Sequence, residues 1–429
     1  MITTKNIHQF IAKICSILLL FFVVSCAQKE KKVVKVKSNL TAKEILENPN
    51  YLAISYGGYR TKTRDIQPTI AKLKEDLKIL SALNIKILRT YNVHLKHAEN
   101  VLEAIYQLKK EDKNFEMYVM LGAWIACKNA FNSNGLTPNH NEESDRNVTE
   151  IATAVALAKK YSEIVKIIAV GNEAMVKWAT SYFVQPNVIL KWVNHLQNLK
   201  KTGELSKDIW ITSSDNFASW GGGSAAYHTE DLTKLIHAVD FISVHTYPMH
   251  DTHYNPTFWG NLESEKNLSK TEKIDLAMLK AKDYAVSQYK SVQNYVKSVG
   301  ANKTIHIGET GWASFSNGHY GNNGSKATDE YKQAVYYKFM RDWTQKEKIA
   351  CFYFEAFDEQ WKDAQNASGS ENHFGLINLK SEAKFALWNL VDTNLFEGLT
   401  RDGKPITKTY NGNLDALLKD VQLPPIKKE

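Results

Sequence analysis

The sequence predicts an α/β chain folded as a (β/α)8 TIM barrel in a single domain. Three observations predict it. Eight short apolar runs recur along the 429 residues, rich in Ile, Val and aromatics. Amphipathic segments of helical period separate them. Each run ends in polar or aromatic residues, which a parallel barrel would gather at one mouth.

The runs are "YLAISYGGY" (51–59), "IKILRTYN" (85–92), "EMYVMLGAW" (116–124), "VKIIAVGNE" (165–173), "IWITSSDN" (209–216), "VDFISVHTY" (239–247), "TIHIGETGW" (304–312) and "ACFYFEAFD" (350–358). They are continuous rather than alternating, as strands covered on both faces should be. After the first run, Ile70, Leu73, Leu77 and Leu80 form one helical stripe, and after the second Val101, Ile105 and Leu108 form another. Comparable segments lead up to every later strand, and the part from about 382 is expected to supply the eighth helix and a closing tail. An open doubly wound sheet is the rival arrangement. It lacks support, because "YGGYR" after the first run does not complete a GxGxxG phosphate turn.

Residues 1–25 read as a lipoprotein signal peptide, 26–48 as a lipid-anchored, Lys-rich tether, and 49–429 as the barrel with its C-terminal closing segment. Lys5 and Lys13 precede "ICSILLLFFVVS", an apolar stretch short for a membrane span, and Cys26 follows it directly. "VVSC" resembles a bacterial lipobox, in which cleavage before the Cys is followed by its acylation; Val23 stands where Leu is usual. The rival is a plain secretory signal with an incidental Cys. The expected location is the bacterial cell envelope, lipid-anchored at the outer membrane, with the side left open. After removal of Cys15 and anchoring of Cys26, only Cys127 and Cys351 remain. They are expected at opposite ends of a parallel barrel, where no disulfide can join them.

The formal charge of +8 is spread along the chain, and its densest run, 29–37, lies in the tether. This describes a solvated surface rather than a nucleic-acid face. No Cys and His cluster has zinc spacing, so neither metal nor cofactor is expected. The barrel is expected to be monomeric and to touch a membrane only through its lipid.

The strand tips carry Tyr56, Tyr91 with Asn92, Trp124, Asn172 with Glu173, Asp215 with Asn216, His245 with Tyr247, Glu309 with Trp312, and Glu355 with Asp358. A lone Glu at a strand end is ordinary. Two, on strands four and seven, face each other across a barrel mouth. That pattern suits glycoside cleavage, where one carboxyl group gives a proton to the leaving oxygen and the other attacks the anomeric carbon. His245, His306 and His319 stand apart from one another, and His306 is expected to face the helices as a structural residue.

At these residues a family becomes recognisable. "AVGNE" and "IGETGW" resemble the two signatures of glycoside hydrolase family 17, retaining (β/α)8 enzymes acting on β-1,3-glucans. "LRTYN", "SVHTYP" and "FEAFDEQWK" resemble that family's segments on strands two, six and eight, and the resemblance covers roughly 50 to 380. It implies Glu173 as acid/base and Glu309 as nucleophile. It further implies that Asn172 holds the sugar 2-hydroxyl, that Tyr247 orients Glu309, and that Tyr56, Tyr91 and Asn92 line the subsite of the distorted sugar. Glu355 and Lys362 would support the cleft, or form only a surface ion pair. Trp312 and Trp361 are expected to stack on sugar; Trp124, Trp178, Trp220, Phe217 and Trp259 stay open between stacking and packing. One departure is Ala313 where Pro is usual, an expected loosening of the loop. The implied activity is endo-hydrolysis of laminarin-type β-1,3-glucan. The alternatives are a β-1,3-glucan transglycosylase with the same carboxylates and a non-catalytic glucan-binding lipoprotein, which would have lost one of them.

Overall fold

Eight parallel strands close into a barrel, each paired with its neighbours in sequence and the last with the first. They are β1 (Leu52–Ser55), β2 (Ile85–Arg89), β3 (Tyr118–Ala123), β4 (Val165–Asn172), β5 (Trp210–Asn216), β6 (Ile242–His245), β7 (Ile305–Gly311) and β8 (Cys351–Phe354). All eight lie inside the runs read from the sequence. The computed structural model describes residues 40–131 and 134–427. Cys15, Cys26, the signal peptide and most of the expected tether lie outside the described residues. Among those described, no helix is long and apolar enough to cross a membrane.

Among the described residues, seven crossover helices cover the barrel: α1 (Ile70–Ala82), α2 (Lys96–Glu111), α3 (Arg146–Lys160), α4 (Pro186–Thr202), α5 (Glu230–Ala238), α6 (Lys270–Ser298) and α7 (Glu330–Glu347). Local sequence fixes their ends. Thr69 caps α1 by accepting from the Lys72 amide, and Ser269 with Glu272 forms a reciprocal capping box on α6. Leu73, Leu77 and Leu80 are buried, as are Val101, Ile105 and Leu108.

Two expectations about the ends of the folded chain need correction. The tether was expected to run to residue 48, but the folded unit begins at Thr41. Thr41 and Glu44 cap a short helix, Ala42–Leu46, and Ala42, Ile45 and Leu46 are buried. Apolar side chains at this spacing drew the segment into the fold. The eighth helix is only a stub, α8 (Trp388–Asp392), entered from a 3-10 turn over Phe385–Leu387. Residues 355–384 form loops over the mouth, and Glu382–Ala383 pairs with Thr407–Lys408.

Side-chain direction inside the barrel follows the strand period of two. Ile242, Val244, Ile305 and Ile307 belong to the core shared with the helices. Phe241, Ser243, His245, His306 and Gly308 therefore point inward. His306 thus faces the barrel interior, not the helices. It lies edge-on to Phe241 at 5.5 Å, and its Nδ1 accepts from the Ala350 amide at 3.0 Å. Burial pushes its pKa down to about 3, so it stays neutral. Cys127 and Cys351 are both buried and free.

Candidate active site

Strict alternation would send Glu309 outward to the helices. The register against β6 slips between Ile307 and Glu309, and against β8 between Ile307 and Thr310. This bulge turns Gly308 and Glu309 both to the inside and sends Thr310 outward, to the Tyr336 hydroxyl of α7 at 2.7 Å. Gly308 is required there, because a Cβ would collide with the Ser243 and Ser214 hydroxyls.

Four polar groups from the ends of two other strands, β2 and β6, converge on Glu309. The Arg89 guanidinium of β2 donates to its Oε2, and the same Nη1 reaches the Gly308 carbonyl at 3.2 Å. Tyr247 donates to Oε1 at 2.5 Å, and Tyr91 to Oε2 at 3.3 Å. His245 lies close enough for its charge to count. Burial by itself would raise the Glu309 pKa. The Arg89 charge, then His245 and the Tyr247 hydroxyl, outweigh burial and hold it below the usual carboxylate range.

Glu173 reaches the mouth by a different route. The register between β4 and β5 also slips, between Ala169 and Asn172. Gly171 takes φ +83°, and Glu173 itself sits at φ +46°, in the left-handed region. Its amide donates to the Ser214 carbonyl at 2.9 Å. Its Oε1 lies 3.1 Å from His245 Nδ1, and His245 Nε2 lies 2.8 Å from Ser214 Oγ. His245 thus bridges Ser214 and Glu173, with its Nδ1–H donating to the Glu173 carboxylate. Asp215 fastens the turn beyond Glu173, accepting from the amides of Met175 at 2.7 Å and Asn216 at 2.8 Å. Burial raises its pKa to about 7; the Met175 amide opposes this and the Glu173 charge adds to it.

Asn172 links the two halves. Its Oδ1 accepts from Arg89 Nη2 at 2.5 Å, which leaves its amide NH2 to donate elsewhere. One guanidinium thus holds both Glu309 and the neighbour of Glu173.

Glu355 and Lys362 form a buried pair rather than a surface one. Lys362 donates to Glu355 and lies 3.6 Å from Glu359. Burial pushes the Glu355 pKa well up, with the Lys362 charge opposing.

Several expected subsite residues lie elsewhere. Tyr56 is buried, and its hydroxyl is spent on Asp76 of α1 at 2.9 Å, so it presents no surface to a sugar. Asn92 is buried too and accepts from the Leu95 amide at 3.3 Å, shaping the turn into α2. Trp312 is no platform: it packs on Tyr336 and Trp259, and its indole donates to the Ala327 carbonyl at 2.8 Å. Trp259 and Trp220 are buried with their indoles satisfied by Ser325 and Ser243 carbonyls. Phe217 is half-buried against the core. Trp361 is half-buried at the mouth, with the Arg64 guanidinium over its ring at 4.3 Å and Tyr59 edge-on at 5.9 Å. Ala313 is buried and donates its amide to the Met249 sulfur at 3.0 Å. A proline there would have no such donor, so the departure ties the loop rather than loosening it.

Sequence reasoning missed Arg89 and His245 as members of the site. Both stood inside quoted motifs. An Arg embedded in the apolar run "IKILRTYN" is itself a signal, since a buried guanidinium demands an anion. Among the described residues no group of three or more His, Cys, Asp or Glu could hold a metal ion.

A family model described as the BtgE/BtgC glycoside hydrolase domain matches residues 53–375. Among curated relatives, the probable glucan endo-1,3-beta-glucosidase btgC of Aspergillus flavus is 26% identical over 331 residues, 74% of this chain and 40% of the relative. The glucan endo-1,3-beta-glucosidase btgC of Emericella nidulans is 25% identical over 322 residues, 72% of this chain and 41% of the relative. The chain therefore spans about 40% of the length of the curated relatives it matches. Among solved structures, an endo-laminarinase from Formosa Hel1_33_131 is 68% identical, with TM-score 0.90, covering 91% of this chain and 99% of its own. A glycoside hydrolase family 17 β-1,3-glucanosyltransferase from Rhizomucor miehei shares the fold at 19% identity and TM-score 0.53, covering 79% of this chain and 96% of its own.

Proposed function

The chain belongs to the BtgE/BtgC glycoside hydrolase domain family, within the family 17 kinship its motifs implied, and from this we propose a retaining endo-β-1,3-glucanase acting on laminarin-type polysaccharide. One observation carries the reading. A carboxylate at the mouth, Glu309, is held ionised by Arg89 and Tyr247, and the same Arg89 grips Asn172 beside a second carboxylate, Glu173.

In the first half of the reaction, Glu309 attacks the anomeric carbon while Glu173 gives its proton to the departing glycosidic oxygen. In the second, Glu173 takes a proton from water, which attacks the glycosyl–Glu309 ester and releases the β-anomer. The free NH2 of Asn172 is placed to donate to the sugar 2-hydroxyl, a bond that tightens as charge develops at C1. Tyr247 and Tyr91 keep Glu309 oriented. The 68% identity to an endo-laminarinase supports the substrate class.

The test is product analysis. Laminarin should yield a series of β-1,3 oligosaccharides over time, with no action on cellulose or xylan. Equal activity on a β-1,4-glucan overturns the specificity. Dominance of longer-than-substrate products at low acceptor concentration would favour the transglycosylase alternative.

The anchor is a further part of this reading. "VVSC" and the Lys-rich run after it support acylation of Cys26 and attachment to the cell envelope. Mass spectrometry should find lipid on residue 26 of the native protein, and Cys26→Ser should release it from membranes. A native N-terminus at another residue contradicts the anchor.

A further inference from the structure

The loops after β3 and β4 carry aromatic side chains that neither the core nor the catalytic contacts absorb. Trp124 follows β3 directly. Its ring lies 5.1 Å from Tyr182 and 6.3 Å from Phe131, and Phe131 stacks on Tyr182 at 5.2 Å with planes 24° apart. Backbone bonds clamp the two loops together: Cys127 N to Tyr182 O at 3.0 Å, and Phe131 N to Ser181 O at 3.1 Å. Val184 N donates to Ala174 O at 2.7 Å, so the loop that bears Tyr182 closes on the residue after Glu173. Burial first, and then the charges of Glu173, Asp215 and Glu309, push the Tyr182 hydroxyl pKa up.

Two features set this cluster apart from packing. Phe131 is 61% exposed, so its ring contributes little to the core. It also sits at φ +54°, where a bulky side chain is rare and costly. Burial does not offset that cost. A strained backbone that holds an exposed ring beside an active site is a mark of ligand contact.

We propose that Trp124, Phe131 and Tyr182 form a stacking shelf for glucosyl units on the leaving-group side of the cut. The side follows from Glu173, which protonates the departing oxygen, so the sugars beyond that oxygen run toward the loop Glu173 introduces. The apolar C–H faces of β-glucosyl rings suit flat aromatic surfaces of this kind. The proposal rests on the glucanase reading and names the half of the substrate these loops hold.

The experiment compares two substrates in the full chain. Laminarihexaose fills both sides of the cut. A β-laminaribiosyl fluoride loses only a fluoride ion and has no sugar on the leaving side. Phe131→Ala should lower kcat/KM on the hexaose about tenfold, and Phe131→Trp should restore it. The loss on the fluoride should be several times smaller. Tyr182→Ala should show the same split, and Phe131→Ala should also shift the hexaose cleavage pattern. An equal loss on both substrates, or none on the hexaose, overturns the shelf while leaving the glucanase reading intact. A wild-type protein that cuts neither substrate overturns both.

Discussion

Glu173 and Glu309 arrive at the same mouth on different terms. Glu309 stays within its strand, turned inward by a bulge, and is bonded by Arg89, Tyr247 and Tyr91. Glu173 lies one residue past its strand, in a left-handed conformation, and among the described residues its side chain bonds to His245 alone. The difference matches the two jobs. A nucleophile must stay ionised and aimed at one atom, so many donors serve it. An acid/base must hold and release a proton in each cycle, and a ring of fixed donors would oppose that.

Five substitutions sharpen or break this contrast. Glu309→Gln should have the largest effect, a fall in kcat/KM on the order of 10⁴-fold or more, since the covalent step is lost. Glu173→Ala should cost about 10²- to 10⁴-fold on laminarin. It should cost far less on a substrate with a good leaving group, and a similar loss on both would put Glu173 in another role. Arg89→Met comes third and reads out as a pH shift. Arg89 holds the Glu309 pKa down, so the acid limb of kcat/KM in the wild type should lie below the ordinary Glu value of about 4.3. Without the guanidinium, burial stands less opposed and the limb must move to higher pH. A limb that stays in place would mean that Glu309 is not the titrating base.

Tyr247→Phe removes one charge-assisted bond and should lower kcat/KM about tenfold or somewhat more. The smallest effect on activity is expected from Tyr56→Phe. It strips the partner from buried Asp76, which Arg60 and Arg401 still hold at 2.8 and 3.0 Å. Thermal unfolding should report a loss of about 1 to 3 kcal/mol, with kcat/KM within roughly twofold. A large catalytic defect in Tyr56→Phe would return Tyr56 to the cleft.

The contrast also explains which residues could be read from sequence. The strands were legible because a parallel barrel buries both faces, leaving unbroken apolar runs bounded by polar tips. Glu173 and Glu309 were legible because their motifs are specific as a pair. The aim of other tip residues was not. Tyr56 and Trp312 occupy strand tips just as Tyr91 does, yet one turns toward α1 and the other toward α7. A strand tip gives height along the barrel axis, not direction around the wall, and the bulge in β7 breaks the alternation that would have given direction. Arg89 and His245 escaped because neither is a carboxylate or sits in a metal-ligand pattern; their work is to hold carboxylates.

The central claim is that Glu309 forms a covalent bond to the sugar. It is tested most directly by incubating the protein with an activated 2-deoxy-2-fluoro-β-laminaribioside, digesting it, and locating the added mass. The account predicts one glycosyl label per chain, on Glu309 within "IGETGW", and no label in Glu309→Gln. A label on Glu173 or Glu355, or first release of the α-anomer with no label anywhere, would contradict it.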